Sequence, residues 1–366
     1  MAKIRVERKE LVEAVTVAAK SADEKVGIMN ISKHGGKLVF AGYSPALSIY
    51  SNCNFEGDVS DEDISVTVSS KRFKSLVVLL QGETIILDFK GKFLYLYGDN
   101  TKLNIPYMDV EFPKREEEEF FVEISAPLLQ SQVAACSHAL SVKPDEGDFR
   151  FKCFCLDVGD DGLSTTATDS LRISVRSELD NASKHIRIVV PGLPLKNFCS
   201  VAKGVVSVKI PVSRKFILLE TESLKGYLSL ADHEAYCNMG WMNGMKFESI
   251  SSVSTSELLS ALEVGNTVDS EYVKIRAEEG GIRVLSNDKN GTYADILLPT
   301  KGTSYYSGVD VEAGFNPRFL IDAVRSVPSE ELSFQMKDER YPALIKAAYD
   351  DSVVEIVLPK KEAVAA

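Results

Sequence analysis

Lys71-Arg72-Phe73-Lys74-Ser75-Leu76-Val77-Val78-Leu79-Leu80-Gln81-Gly82 reads as one short amphipathic helix and its stop. Phe73, Leu76, Val77 and Leu80 recur at helical spacing on one face, with Lys71 and Lys74 on the other. Gln81-Gly82 closes it, because glycine adopts a left-handed C-terminal conformation at least cost. Residues 84–89 and 93–97 then alternate as strands around Lys90-Gly91-Lys92, a hairpin signature. The same order of helix, turn and strands returns over 194–230 and 315–359. Phe73, Leu195 and Phe319 stand at matching points, 122 and 124 residues apart. Solenoid units repeat every 20–50 residues or so, whereas this period is the size of a domain.

Three such domains fit the 366 residues, over 1–120, 121–248 and 249–366. Apolar residues make up 45% and charged residues 26%, the composition of a soluble globular chain. The longest apolar run, 76–80, is too short to span a bilayer. Met1-Ala2-Lys3-Ile4-Arg5 enters a strand with no hydrophobic signal segment, so the expected location is cytoplasmic, away from membranes. Six cysteines form no Cys-x-x-Cys and read as reduced, buried thiols; Cys153 and Cys155 share one face of a strand. Four scattered histidines show no metal spacing, and His233-Glu234 reads as a solvated pair, so neither metal nor cofactor is expected. The net charge of −11 argues against a protein that grips a DNA groove. A chain that held DNA topologically would need only a weakly basic inner surface.

Each unit carries two helices. In the first, residues 9–20 place Leu11, Ala14, Val15 and Ala18 on one face. Ser125 caps a helix over 127–139, and a second middle helix runs over 195–202, closed by Lys203-Gly204. Ser254-Thr255-Ser256-Glu257 opens the next helix before Leu258, Leu259 and Leu262. Asn316 caps the last, over 317–326, with Pro317 at its first position. Short alternating runs rich in Val, Ile, Phe and Tyr fill the rest, so the class is α+β with antiparallel sheets. The acidic run 114–119 and the stretch 240–251, which holds Trp241, read as linkers. No phosphate loop, nucleophile elbow or zinc-protease motif occurs, and Asp160-Asp161 and Asp350-Asp351 read as hairpin tips. With no catalytic residue in view, the expectation is architecture, not an enzyme.

The segment Ser164-Thr165-Thr166-Ala167-Thr168-Asp169-Ser170-Leu171-Arg172-Ile173-Ser174-Val175 is a strand, a polar turn and a second strand. Alternation alone suits any hairpin. Its residues, however, resemble the Ala-Thr-Asp-x-x-Arg-hydrophobic turn of the bacterial DNA polymerase III beta subunit, the sliding-clamp family. Residues 315–323, Pro342-Ala343-Leu344-Ile345, Val357-Leu358-Pro359, Phe112-Pro113 and Asp148-Phe149-Arg150-Phe151 extend the resemblance. It implies three similar clamp domains, each with two helices against antiparallel sheets, and a head-to-tail homodimer that closes a ring. Helices would line a channel around double-stranded DNA, held without regard to sequence, and sheets would form the rim.

By position, a cleft for short peptides of the DNA polymerase III alpha subunit, the clamp loader and other clamp-binding-motif proteins would use Cys153, Thr168, Ser170, Leu171, Arg172, Ile173, Asn316, Phe319, Pro342, Leu358 and Pro359. Lys9, Lys20, Lys25, Lys71, Lys74, Lys196, Lys203, Arg318 and Arg325 would face DNA, although a solvated outer helix face suits each as well. Leu103, Ile105 and Val264 are candidates for the dimer joint, or equally for ordinary domain cores. Ser170-Leu171 replaces the family's Gly-His, and residues 358–361 replace its usual terminus. Residues 127–140 hold no Lys or Arg, and Leu193 stands where the family offers a basic residue. The alternative is a monomeric three-domain peptide-binding scaffold that never encircles DNA.

Overall fold

The computed structural model describes residues 2–21, 27–34, 36–57, 64–113, 119–141, 148–159, 162–178, 185–210, 215–232, 236, 239–299 and 306–362. Lys25, Cys237, His233-Glu234, Asp160-Asp161 and most of the run 114–119 lie outside them. Six α-helices occur in the described residues: α1 (Arg8–Ala18), α2 (Ser70–Leu79), α3 (Ala126–Cys136), α4 (Gly192–Cys199), α5 (Thr255–Val268) and α6 (Pro317–Ser326). Each follows directly on a strand, and three or more strands follow each. The order strand, helix, four strands, helix, three strands therefore occurs three times, with one extra short strand, Tyr306–Gly308, in the last.

Packing divides the chain into two compact units, 1–130 with 190–231 and 131–189 with 232–366. In the first unit a four-stranded sheet runs Ala2–Glu7, Thr84–Lys90, Phe93–Tyr97, Lys102–Pro106. An eight-stranded sheet joins the first and middle repeats where Leu47–Cys53 pairs with Leu224–Ser229, antiparallel, with Ile49 opposite Gly226. Gly226 is required there, since a Cβ would lie 2.4 Å from the Phe198 ring of α4.

In the second unit a nine-stranded sheet joins the middle and last repeats along Arg172–Ser177 and Asp350–Val357. A four-stranded sheet runs Tyr293–Pro299, Gly281–Asn287, Val273–Glu278, Val311–Phe315. Among the described residues, Lys102–Pro106 and Tyr293–Pro299 each pair on one side only.

The cores follow the expected faces. Leu11, Ala14, Val15 and Ala18 of α1 are buried, as are Phe73 and Val77 of α2, and the Phe40 and Phe73 rings stack with centroids 6.1 Å apart. Each such large side chain contributes about 1.5–3 kcal/mol by leaving water. Three expected caps form: Ser125 Oγ accepts from Leu128 N, Ser254 Oγ from Glu257 N and Asn316 Oδ1 from Arg318 N.

Other readings are corrected. Phe73 and Leu195 are the fourth residues of α2 and α4, and the fourth residue of α6 is Leu320, fully buried, not Phe319. The helix starts fix this register, and Phe319 is thereby left half-buried at the helix surface. α2 ends at Leu79 with Leu80 already extended; Gly82 (φ +114°) turns the chain past Asp99 instead of closing the helix. α4 starts at Gly192, and the second linker is shorter than expected, because Ser249–Ser254 is a strand.

Candidate peptide-binding cleft

The turn between strands Gly162–Thr168 and Arg172–Ser177 is organised by its own polar side chains. Thr168 Oγ1 donates to Arg172 O at 2.8 Å, and Asp169 Oδ1 accepts from Leu171 N (3.0 Å) and Arg172 N (3.1 Å). Asp169 Oδ2 also accepts from Arg172 Nε at 3.0 Å. From α6, Asp322 Oδ2 accepts from Arg172 Nη1 at 2.7 Å, and the guanidinium lies 4.4 Å from the centroid of the Phe319 ring. Held by Asp169 within its own turn, Arg172 therefore ties the middle repeat to the last through the Asp322 carboxylate and the Phe319 ring face.

The end of the last strand closes the other side. Leu358 N donates to Leu171 O at 2.9 Å, and Arg172 and Val357 are register partners. Leu171 and Leu358 are both exposed, at 49% and 37%, and Ile173 and Phe319 are half-buried. The first unit repeats this device at its own seam, where Ser44 Oγ donates to Leu47 O and Ser229 N to Ala46 O. Like seams arise because like repeats pair through the same strands.

Seven of the eleven candidate residues are thus bound into one constellation: Thr168, Ser170, Leu171, Arg172, Ile173, Phe319 and Leu358. Cys153 lies beneath, fully buried, its thiol pushed up to about 12 by burial and by the Asp148 carboxylate, so it remains neutral and unreactive. Asn316 is engaged in capping α6. Pro342 precedes strand Ala343–Ala347, whose Ala343 pairs with Val357, and Pro359 follows Leu358. Lys360 leads the chain away, donating from its backbone to Gly314 O and from Nζ to Glu271.

Three contributors escape the sequence reading. Asp322 is one turn beyond Phe319, a spacing that was readable on a helix. Phe149 is 56% exposed, and its carbonyl accepts from the Cys153 thiol. Tyr236, buried, donates toward the Cys153 and Thr166 carbonyls.

Ser170 has φ +77°, the only positive value at a non-glycine residue among those described. Left-handed backbone costs an L-residue about 1–2 kcal/mol, whereas glycine adopts it freely. Ser170→Gly is expected to raise stability by about 1 kcal/mol, read as a higher urea midpoint at unchanged slope. An unchanged or lower midpoint would sink that account.

Of the candidate DNA-facing cations, Lys9, Lys71, Lys74, Lys196, Arg318 and Arg325 lie on α-helices, Lys20 on the turn after α1 and Lys203 just beyond α4. Lys9, Lys20, Lys71, Lys196, Lys203, Arg318 and Arg325 are exposed and Lys74 is half-buried. Arg325 is paired with Glu263 at 2.9 Å, so its charge is already answered. Of the dimer candidates, Ile105 is 1% exposed inside the first repeat's core and Leu103 packs against that core, the alternative left open for them. Val264 is 46% exposed on α5, which packs against the edge strand Tyr293–Pro299.

Comparison with known proteins defines the class. The chain is similar over its full length to the crystal structure of the DNA polymerase sliding clamp from Bacillus subtilis, with a TM-score of 0.85, 20% identity and 99% of both chains covered. It superposes equally on the DNA polymerase III subunit beta of Pseudomonas aeruginosa, with a TM-score of 0.85, 16% identity and coverage of 99% and 100%. The fold is therefore that of a DNA polymerase sliding clamp. In sequence, residues 245–361 match the family model of the DNA polymerase III beta subunit, C-terminal domain. The beta sliding clamp of Bacillus subtilis (strain 168) is 22% identical over 98% of this chain and 99% of its own length. The last part of the chain thus matches the C-terminal domain of the DNA polymerase III beta subunit, and the whole chain is similar to beta sliding clamps in fold.

Proposed function

We propose that the chain is a DNA sliding clamp, a processivity factor that surrounds duplex DNA as a head-to-tail homodimer and holds partner proteins by peptides docked in the cleft around Arg172. The observation that carries this reading is that each unit has a four-stranded sheet with an edge strand paired on one side only, Lys102–Pro106 in the first unit and Tyr293–Pro299 in the second. An open edge calls for a partner strand or a guard. Two different edges on one chain fit a heterologous contact that closes by symmetry. The three-domain division at 1–120, 121–248 and 249–366 belongs to this reading and follows the repeated element order.

The cleft offers exposed leucines, a half-buried phenylalanine and few polar groups, which suits a short peptide with apolar anchors. Its partners are the DNA polymerase III alpha subunit, the clamp loader and other proteins bearing the clamp-binding motif. The role is non-catalytic and asks for no cofactor. No helix among the described residues is long and apolar enough to cross a membrane, in keeping with work on DNA in the cytoplasm.

Light scattering should return about twice the chain mass of 40.2 kDa. Protein loaded onto nicked circular DNA should stay bound and be lost on linearisation. A stable monomer, or retention indifferent to linearisation, would favour the scaffold that binds peptides alone.

A further inference from the structure

The helices of the two compact units differ sharply in charge. In the first unit, α1 with the turn Ala19–Ser21, α2 and α4 hold seven Lys or Arg against two carboxylates, Glu10 and Glu13. In the second, α5 and α6 hold two Arg against three carboxylates, and α3, within which the division between the units falls, has no charged residue. Of those two arginines, Arg325 is bound to Glu263, and the third carboxylate, Asp322, is bound to Arg172.

The first unit's cations form one surface. The α4 side chain of Asn197 donates to Lys20 O at 3.1 Å, which sets Lys196 beside the end of α1. Lys203 Nζ reaches Glu13 of α1 at 3.9 Å, a highly exposed and therefore weak pairing that leaves its charge available. α2 packs on α1, and the Arg8 side chain donates to Val78 O and Leu80 O at its end. Lys71 and Arg72 are exposed on α2.

We infer that phosphate contacts are confined to the first unit of each subunit, on α1, α2 and α4, and that α3, α5 and α6 present a surface with little affinity for phosphate. This rests on the sliding-clamp reading and adds to it which helices carry the DNA. Charge complementarity selects the occupant: a chain with net charge −11 that concentrates exposed cations on one group of helices presents them to a polyanion. The sparse surface elsewhere keeps the total grip low, so the duplex is restrained without being fixed.

The test compares Lys20→Ala/Lys196→Ala/Lys203→Ala with Arg318→Ala/Arg325→Ala, all at exposed positions, by fluorescence anisotropy of a short labelled duplex across a salt series. The triple variant should lose at least tenfold in affinity at low salt, and its log–log salt slope should fall by about 2–3. The double variant should change affinity less than twofold. Equal losses in the two variants, or a triple variant within twofold of wild type, would overturn the inference. Wild-type retention on nicked circles is measured in parallel. Its failure would sink the encircling reading, whereas a misplaced salt effect with retention intact would sink only the confined track.

Discussion

Glu355→Ala destabilises the second unit by about 3–5 kcal/mol, the cost expected when a buried ion pair loses one partner. Glu355 is 1% exposed on the strand Asp350–Val357. Its Oε1 accepts from Ser174 Oγ and Ser326 Oγ, each at 2.8 Å, and pairs with Arg176 Nη1 at 2.8 Å. Its Oε2 meets His138 Nε2 at 3.1 Å. Ser174, Arg176 and His138 come from the middle repeat and Ser326 from α6, so one carboxylate gathers groups from both sides of the seam. Removing it strands Arg176, whose side chain is 7% exposed, without its counter-charge.

A urea titration checks the size of this effect, and a double-mutant cycle with Arg176→Met checks its origin. The cycle should show coupling above about 2 kcal/mol, because removing both charges together leaves no buried charge unpaired. A single-variant loss below about 1 kcal/mol would mean that water reaches the network and replaces the carboxylate. The same strands carry Leu171, Arg172 and Leu358, so peptide affinity should fall with stability.

The network was hard to see in the sequence for a specific reason. Glu355 sits in Val353-Val354-Glu355-Ile356-Val357, where a lone charge in an alternating run ordinarily marks the solvent face. Its parity with Val353 and Val357, both buried, was the available signal. The partner strand repeats it, since Ser174 and Arg176 are buried while Ile173 and Val175 are less so, and register sets Ser174 opposite Glu355. Polar residues on the inward face of two strands become meaningful only once those strands are known to pair. That pairing spans about 180 residues of chain, and nothing local specifies it.

The legible features were those set by neighbours in sequence. Helix faces, caps at Ser125, Ser254 and Asn316, and the turn around Asp169 depend on residues within a few positions, and they formed as read. The shift from Phe319 to Leu320 arises because the helix start determines which position faces the core, and α6 starts at Pro317. Freed from that core, Phe319 becomes the ring on which Arg172 rests. The fusion of sheets across repeats stayed invisible in the sequence.

On the ring reading, the edge strand Tyr293–Pro299 is part of the joint between subunits. Tyr293 is 77% exposed and Leu297 is 41% exposed on the strand Tyr293–Pro299, and Val264 is exposed on α5, which packs against that strand. An edge that shows two apolar side chains on one face, here on either side of the Arg283-paired Asp295, is suited to strand addition from another chain. Tyr293→Asp/Leu297→Asp should weaken self-association about a thousandfold, since two central apolar anchors at about 2 kcal/mol each amount to roughly three factors of ten. Light scattering at micromolar concentration should then return a monomer with an unchanged melting profile, and retention on nicked circular DNA should vanish. Ile105→Ala serves as the contrast. Ile105 is buried in its own domain, so its truncation should cost about 2–5 kcal/mol of folding stability, with weaker association only as a secondary effect. If the aspartate pair leaves a dimer intact, the edge Tyr293–Pro299 is not the joint, and the exposed tyrosine faces some other partner.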